Sequence, residues 1–138
     1  MAKVAVMGHG VVGSGVAELL QMNHSSIAEK AGEMIEVEKI LDLREFNDLP
    51  YADKFTKNFD DILNDDSITV VAEVMGGLHP SYEYVKACLS SGKSVVTSNK
   101  ELVAEKGAEL LLDMFVNSKF DSREMSKEKQ VIIEEMKM

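Results

Sequence analysis

Three glycines near the start of the chain have the spacing of a phosphate-binding turn. The segment Gly8-His9-Gly10-Val11-Val12-Gly13 matches the pattern G-x-G-x-x-G and follows an apolar run at residues 3–7. Between a strand and a helix, the first glycine permits a tight turn, the second admits a pyrophosphate to the backbone, and the third allows close packing. The helix N-terminus adds free N–H groups and partial positive charge. The segment therefore predicts dinucleotide contacts at Gly8, Gly10, Val11, Val12 and Gly13.

Two points about this segment have alternatives. A glycine-rich turn can serve local packing only, but the strand before it and the helix after it favour a cofactor site. His9, inside the segment, could contact a ligand. We expect it instead to be a plain solvent-exposed turn residue.

An acidic residue and an arginine follow the predicted second strand. Asp42 stands where a carboxylate can accept hydrogen bonds from the adenosine ribose and repel a 2′-phosphate, which favours NAD over NADP. Arg44, two residues later, could instead stack on adenine or bind a 2′-phosphate, with Lys54 or Lys57 beside it. Asp42 could also be an ordinary turn residue at a strand end. The sequence favours NAD and leaves the Arg44 alternative open.

Two further segments follow the third and fourth predicted strands. Gly76 and Gly77 end the stretch Glu73-Val74-Met75-Gly76-Gly77, and their missing side chains would let nicotinamide and substrate lie against backbone. Thr97-Ser98-Asn99-Lys100 reaches the same edge of the sheet, where open α/β sheets bind ligands. A lysine in the first turn of a helix is disfavoured by the helix dipole. Facing a substrate oxygen would explain Lys100, although a simple turn and an exposed lysine are the alternatives.

Alternating strands and helices must hold these segments. Apolar runs predict strands at residues 3–7, 35–41, 69–75 and 94–97, with helices at 11–22, 60–63, 80–91 and from 100 to at least 112. Residues 23–32 read as a connection or an irregular helix. This order predicts an α/β fold of the Rossmann type, a doubly wound parallel sheet in a single domain. We expect the domain to span residues 1–116 and the charged residues 117–138 to form a helical or partly disordered tail.

Composition limits the class of partner. A formal charge of −9 over 138 residues opposes binding to nucleic acid or anionic membrane, because both require a basic surface. Cys88 is the single cysteine, so no intrachain disulfide can form and a reducing compartment is expected. The N-terminus does not resemble a secretory signal, and no apolar run approaches the ~18 residues of a membrane span. We expect a cytoplasmic protein without a metal site.

The segments quoted above, extended to Gly8 through Val16, Val74 to Gly77 and Val95 to Ala104, resemble the cofactor domain of homoserine dehydrogenase. The resemblance covers residues 3–111, and the Thr-small-Asn-Lys stretch is its most specific part. It implies an oxidoreductase that uses NAD or NADP to interconvert homoserine and aspartate 4-semialdehyde, in threonine and methionine biosynthesis. It also implies that Lys100 is the catalytic or substrate-polarising lysine, and that Thr97, Ser98 and Asn99 lie at the cofactor.

After residue 111 the sequence follows no pattern of that family, which continues into another strand and a substrate domain. We therefore expect a dinucleotide-binding domain that is inactive alone, whether a truncated product or a stand-alone domain. A small amino-acid substrate would bind only if another domain completed the site. The alternative is a non-catalytic dinucleotide sensor or regulatory module. A homodimer is also compatible with the sequence, since a missing substrate domain would leave apolar surface open.

Overall fold

Five parallel strands form one sheet in residues 1–116, the part of the chain that this computed structural model describes. In chain order the strands are β1 (Ala2–Met7), β2 (Ile35–Leu41), β3 (Phe55–Thr56), β4 (Ile68–Glu73) and β5 (Ser94–Thr97). Their spatial order is β3-β2-β1-β4-β5, and every neighbouring pair is parallel. The predicted Rossmann-type parallel sheet is thereby confirmed.

Helices connect these strands. They are α1 (Val11–Met22), α2 (His24–Ala31), α3 (Asp60–Leu63), α4 (Ser81–Ser90) and α5 (Lys100–Val116), with a 3₁₀ turn at Ala52–Lys54. The chain moves outward from β1 to β2 and β3, then returns to place β4 on the other side of β1. At such a reversal the connections leave on opposite faces of the sheet, and a crevice opens at the carboxyl ends of the strands. Here that crevice lies beyond β1 and β4.

The central strand β1 is buried on both faces because its apolar side chains alternate between two cores. Val4 and Val6 pack with Ala17 of α1 and with β2, whereas Ala5 and Met7 pack into a second core with β4, α4 and α5. Residues at i and i+2 of a strand point to the same face, so one short apolar run supplies both layers. Cys88 of α4 is fully buried in the second core.

Several element boundaries differ from prediction. Residues 23–32 contain the regular helix α2, which ends at Gly32 with φ +80°. The short edge strand β3 was not predicted, because two residues carry no periodic signal. Strand β4 ends at Glu73 rather than at residue 75, since the Met75 N–H bonds the Glu73 side chain and the chain then turns at glycines of positive φ. Pro80 precedes α4 as its N-cap.

The predicted tail at residues 117–138 lies outside the described residues. Within residues 1–116, none of the helices combines the length and the apolar character needed to cross a bilayer.

Candidate functional site

The turn between β1 and α1 is tightly packed at Gly8 and Gly13 and open at Gly10. Gly8 has φ +106°, and a β-carbon on it would approach the Cα atom of Met75 to 3.1 Å. A β-carbon on Gly13 would lie 1.9 Å from the carbonyl oxygen of Gly8. Apart from its chain neighbours, no described atom lies within 4 Å of the same position on Gly10. Gly8 and Gly13 are therefore required by the fold, whereas Gly10 faces open space.

The N-terminus of α1 presents free backbone donors beside this space. Gly10 is the N-cap and its carbonyl accepts the Ser14 N–H at 2.9 Å, while no side chain of the described residues caps the helix. The preceding N–H groups of the first turn lack intrahelical acceptors, as in any α-helix. The side chains of Val11 and Val12 are exposed. The predicted contacts at Val11 and Val12 are thus available through their backbone.

His9 is buried, and the prediction that it is solvent-exposed was wrong. Only 8% of its surface is accessible, and its Nε2 lies 2.9 Å from the Tyr51 hydroxyl. The rings of Phe46 and Phe55 meet its imidazole edge-on, with centroids 4.6 and 4.9 Å away. Phe46 and Tyr51 lie in the connection from β2 to β3, and Phe55 is the first residue of β3. Their clustering in a mostly polar stretch was the signal available in the sequence.

Asp42 follows β2 as predicted, and its carboxylate is fully occupied. Oδ1 accepts the Arg44 backbone N–H at 2.9 Å and Nε at 3.0 Å, while Oδ2 accepts the His9 backbone N–H and Arg44 Nη2, both at 2.9 Å. An ionised carboxylate offers about four lone-pair sites. Asp42 therefore has no acceptor position left for a further donor while Arg44 stays in place.

The pairing fixes the charge of both groups. Hydrogen bonds from Arg44 hold the pKa of Asp42 well below its usual range, and the same pairing raises the pKa of Arg44. Nη2 of Arg44 also donates to the His9 carbonyl oxygen at 3.0 Å, so the pair ties β2 to the glycine turn. The Asp42 side chain is 9% exposed and that of Arg44 63% exposed. The outward-facing charge at this end of the site is therefore the guanidinium.

One cleft joins the glycine turn to the ends of β2 and β4. Its volume is about 390 Å³, within the usual range for a small-molecule or cofactor site. Three segments line it: the glycine turn, the end of β2 with the residues after it and Lys57, and the start of the β4 to α4 connection with the N-cap and one residue of α4. The lining residues are Gly8, His9, Gly10, Leu41, Asp42, Leu43, Arg44, Lys57, Val74, Met75, Pro80 and Tyr84.

The double glycine provides an exposed backbone beyond β4. Gly76 and Gly77 have φ values of +80° and +77°, which other residues adopt only with strain. A β-carbon on either one would have open space around it, so nothing in the described chain covers this turn. Both glycines are therefore required by the backbone conformation of this turn, and the surface around them is open.

The segment after β5 divides into internal and exposed residues. Thr97 and Asn99 use their side chains inside the protein: the Thr97 hydroxyl donates to Glu73 Oε2 at 2.7 Å, and Asn99 Nδ2 donates to the Gly77 carbonyl oxygen at 2.6 Å. Ser98 and Lys100 are exposed. No carboxylate in residues 1–116 forms an ion pair with Lys100, so its ammonium group faces solvent at the start of α5.

Glu73 is a functional candidate that the sequence reasoning missed. It is the last residue of β4 and is fully buried, at 0% exposure. Its carboxylate accepts the Met75 N–H at 2.9 Å and the Thr97 hydroxyl. The signal was an acidic residue within an otherwise apolar strand that leads directly into the double glycine.

A family model described as "Homoserine dehydrogenase, NAD binding domain" matches residues 8–118. The chain belongs to this family. The resemblance predicted from the glycine turn, the double glycine and the lysine segment is thereby confirmed, as is its assignment as a cofactor domain. The strands and helices described above are those of a homoserine dehydrogenase NAD-binding domain.

Individual homoserine dehydrogenases agree with the family match. The enzyme of Bacillus subtilis is 36% identical over 115 residues, which are 80% of this chain and 26% of that protein. The enzyme of Pseudomonas aeruginosa is 37% identical over 109 residues, 78% of this chain and 25% of that protein. The crystal structure of the Thiobacillus denitrificans enzyme superposes with a TM-score of 0.78 at 34% identity, covering 84% of this chain and 27% of that one. The chain thus spans about a quarter of the length of the curated relatives it matches.

The packing of the glycine turn predicts a large loss of stability for one alanine substitution and a small change for another. Gly13→Ala would drive a β-carbon into the Gly8 carbonyl, so we expect it to lower the free energy of unfolding by at least ~2 kcal/mol. Gly10→Ala meets open space and should change it by less than about 1 kcal/mol, the scale of an N-cap substitution. Urea unfolding of both variants measures the difference. Equal stability of the two would contradict the geometry.

Proposed function

We propose that residues 1–116 bind a nicotinamide dinucleotide across the carboxyl edge of the sheet. The observation that carries this proposal is the open space at Gly10, directly beside the uncapped N-terminus of α1 and continuous with the cleft. Backbone donors and the helix dipole stabilise an anion there whatever the net charge of the chain. Gly10 and the first turn of α1 would hold the pyrophosphate. The adenosine half would lie toward Asp42 and Arg44, and the nicotinamide half toward the double glycine.

The nicotinamide end offers one group suited to the family reaction. When bound, the nicotinamide ring supplies hydride transfer. Lys100 is exposed at the start of α5, and its ammonium group can stabilise an alkoxide that develops on the substrate and, in the direction of aldehyde reduction, donate a proton to it from Nζ. Asn99 bonds the Gly77 carbonyl oxygen, which keeps this lysine next to the double glycine. These contacts support Lys100 as the substrate-polarising residue for interconversion of homoserine and aspartate 4-semialdehyde.

The first experiment tests binding itself. NADH and NADPH are titrated into the chain and the change in nicotinamide fluorescence is followed. Gly10→Val should weaken binding on the order of 100-fold, because its side chain fills the approach of the pyrophosphate. Gly15→Val is the matched control, since it adds the same side chain at an open position of α1 outside the pattern. Unchanged affinity in a folded Gly10→Val variant would refute the assignment.

Because the Asp42 carboxylate is already occupied, the structure favours the alternative in which Arg44 binds a 2′-phosphate at the adenosine end. For Asp42 to accept a hydrogen bond from a ribose hydroxyl, Arg44 must give up at least one of its side-chain hydrogen bonds to the carboxylate. A 2′-phosphate requires no such change, because Nε and Nη2 hold the guanidinium while the N–H groups of Nη1 make no hydrogen bond within residues 1–116. Lys57 lines the same cleft. We therefore propose that Arg44 binds the 2′-phosphate of NADPH.

This proposal predicts tighter binding of NADPH than of NADH. Arg44→Ala should weaken NADPH binding about 10- to 100-fold through loss of charge-assisted hydrogen bonds, and should change NADH binding far less. Lys54→Ala removes one positive charge without touching the cleft and serves as the control. The proposal would be refuted if the unaltered chain bound NADH more tightly than NADPH and Asp42→Ala weakened NADH binding. Asp42 would then be the residue that binds the adenosine ribose.

We expect no measurable homoserine oxidation by this 138-residue chain. Lys100 is the single group that we assign to the reacting centre, and orienting the reactants accounts for about 7–11 kcal/mol of such a barrier. The assay follows NAD(P)H formation at saturating homoserine, with Lys100→Ala as the control for contaminating enzyme. Turnover that survives purification and disappears in Lys100→Ala would overturn this expectation. Binding without turnover is also what a non-catalytic sensor would show.

A further inference from the structure

Glu73 is a buried carboxylate with no cationic partner among residues 1–116. It ends β4 at the carboxyl edge of the sheet and is inaccessible to solvent. A buried charge without a counter-ion is costly unless hydrogen bonds satisfy it, and an apolar residue would suit this core better. The neighbouring positions of the strand, Val70, Val71 and Ala72, are apolar. Stability of the core therefore does not explain a glutamate here.

The hydrogen bonds of Glu73 connect separate segments around the nicotinamide end. Oε1 accepts the backbone N–H of Met75, which leads into the double glycine, at 2.9 Å. Oε2 accepts the hydroxyl of Thr97, the last residue of β5, at 2.7 Å. Asn99 Nδ2 lies 3.5 Å from Oε1, at the limit of a hydrogen bond. One carboxylate thus fixes the chain after β4 relative to the end of β5.

Asn99 extends this arrangement to the start of α5. Its backbone N–H donates to the Thr97 hydroxyl at 3.0 Å, and its Oδ1 accepts the Leu102 N–H at 3.1 Å as a cap of the helix. Its Nδ2 bonds the Gly77 carbonyl oxygen at 2.6 Å. The exposed glycine turn and the helix that carries Lys100 are therefore held by the same buried network, which begins at Glu73.

We propose that Glu73 is a positioning residue, which holds the Gly76-Gly77 turn and the first turn of α5 in the geometry that receives the nicotinamide ring. The inference rests on the proposed dinucleotide binding. In this proposal Glu73 does not contact the cofactor, and its loss weakens only the binding of the nicotinamide end. The adenosine end is built from the glycine turn and from the Asp42 and Arg44 pair, which make no hydrogen bond to Glu73.

The test compares NADH with ADP-ribose, which lacks the nicotinamide ring. Neither ligand carries a 2′-phosphate, so a preference set by Arg44 does not enter. Calorimetric titration of the full chain gives both dissociation constants, and their ratio reports the nicotinamide end alone. We expect the unaltered chain to bind NADH more tightly, and Glu73→Ala to reduce that advantage roughly tenfold with little change for ADP-ribose. Glu73→Gln keeps an acceptor for Met75 and should retain most of the ratio.

Lys93→Met is the matched control for loss of a buried polar side chain. Its Nζ donates to the carbonyl oxygens of Asp65 at 2.7 Å and Ile68 at 2.8 Å, at the opposite end of β4. We expect Lys93→Met to lower stability and to leave the ratio unchanged. If Glu73→Ala does not fold, Thr97→Val replaces it, because this substitution removes a single hydroxyl and should lower the ratio in the same direction.

The outcomes separate the two proposals. If the unaltered chain binds neither NADH nor NADPH, the proposed function fails and this inference fails with it. If the chain binds NADH but Glu73→Ala, or Thr97→Val in its place, weakens both ligands equally or neither, the dinucleotide site stands and the role of Glu73 is refuted. Equal affinity of the unaltered chain for NADH and ADP-ribose also refutes it. A selective loss of the NADH advantage, restored in Glu73→Gln, supports it.

Discussion

The close approach of Gly13 to the turn after β1 is the contact on which the candidate site depends. A β-carbon at this position would lie 1.9 Å from the Gly8 carbonyl oxygen, so helix and turn are packed backbone against backbone. That packing directs the N-terminus of α1 toward the crevice between β1 and β4. Gly8 completes the turn with φ +106°, and Gly10 is left facing open space. The free donors of the helix therefore meet the cleft because the third glycine has no side chain.

Local charge, rather than net charge, decides what this cleft can hold. The chain carries a formal charge of −9, yet the Asp42 carboxylate beside the glycine turn is neutralised by Arg44 and accepts a hydrogen bond from the His9 backbone N–H. The pKa of Asp42 lies well below its usual range because of that pairing. What remains facing the cleft is a helix terminus and a mostly exposed guanidinium. Both favour an anionic ligand. They act on it from within a few ångströms, whereas salt screens the charges of distant acidic residues.

The sequence predicted those features that a local pattern specifies. The glycine spacing, the position of Asp42 after β2 and the double glycine after β4 each follow from a short segment, and the order of long elements specifies a doubly wound sheet. His9, Glu73 and the short strand β3 could not be placed in this way. His9 is buried by aromatic residues 37 to 46 positions further along the chain, and Glu73 is satisfied by a hydroxyl 24 residues away. Such partners become visible only when the strands are assembled.

The proposed adenosine and nicotinamide ends of the site are built by different physical means, and this bears on how the domain can serve a reaction. At the proposed adenosine end Arg44 is long and largely solvated, and its Nη1 can engage a ligand while Nε and Nη2 keep their hydrogen bonds to Asp42. At the proposed nicotinamide end Glu73 and Asn99 are buried and Thr97 is half-buried, and the three residues bond one another and the backbone. A buried network of this kind permits one arrangement, because every alternative leaves a polar group unsatisfied. A ligand can therefore engage Arg44 at one end, while the network at the other end keeps the double glycine and the first turn of α5 at a fixed separation. The proposed role of Lys100 requires that fixed separation, because orienting the reactants is a large part of catalysis.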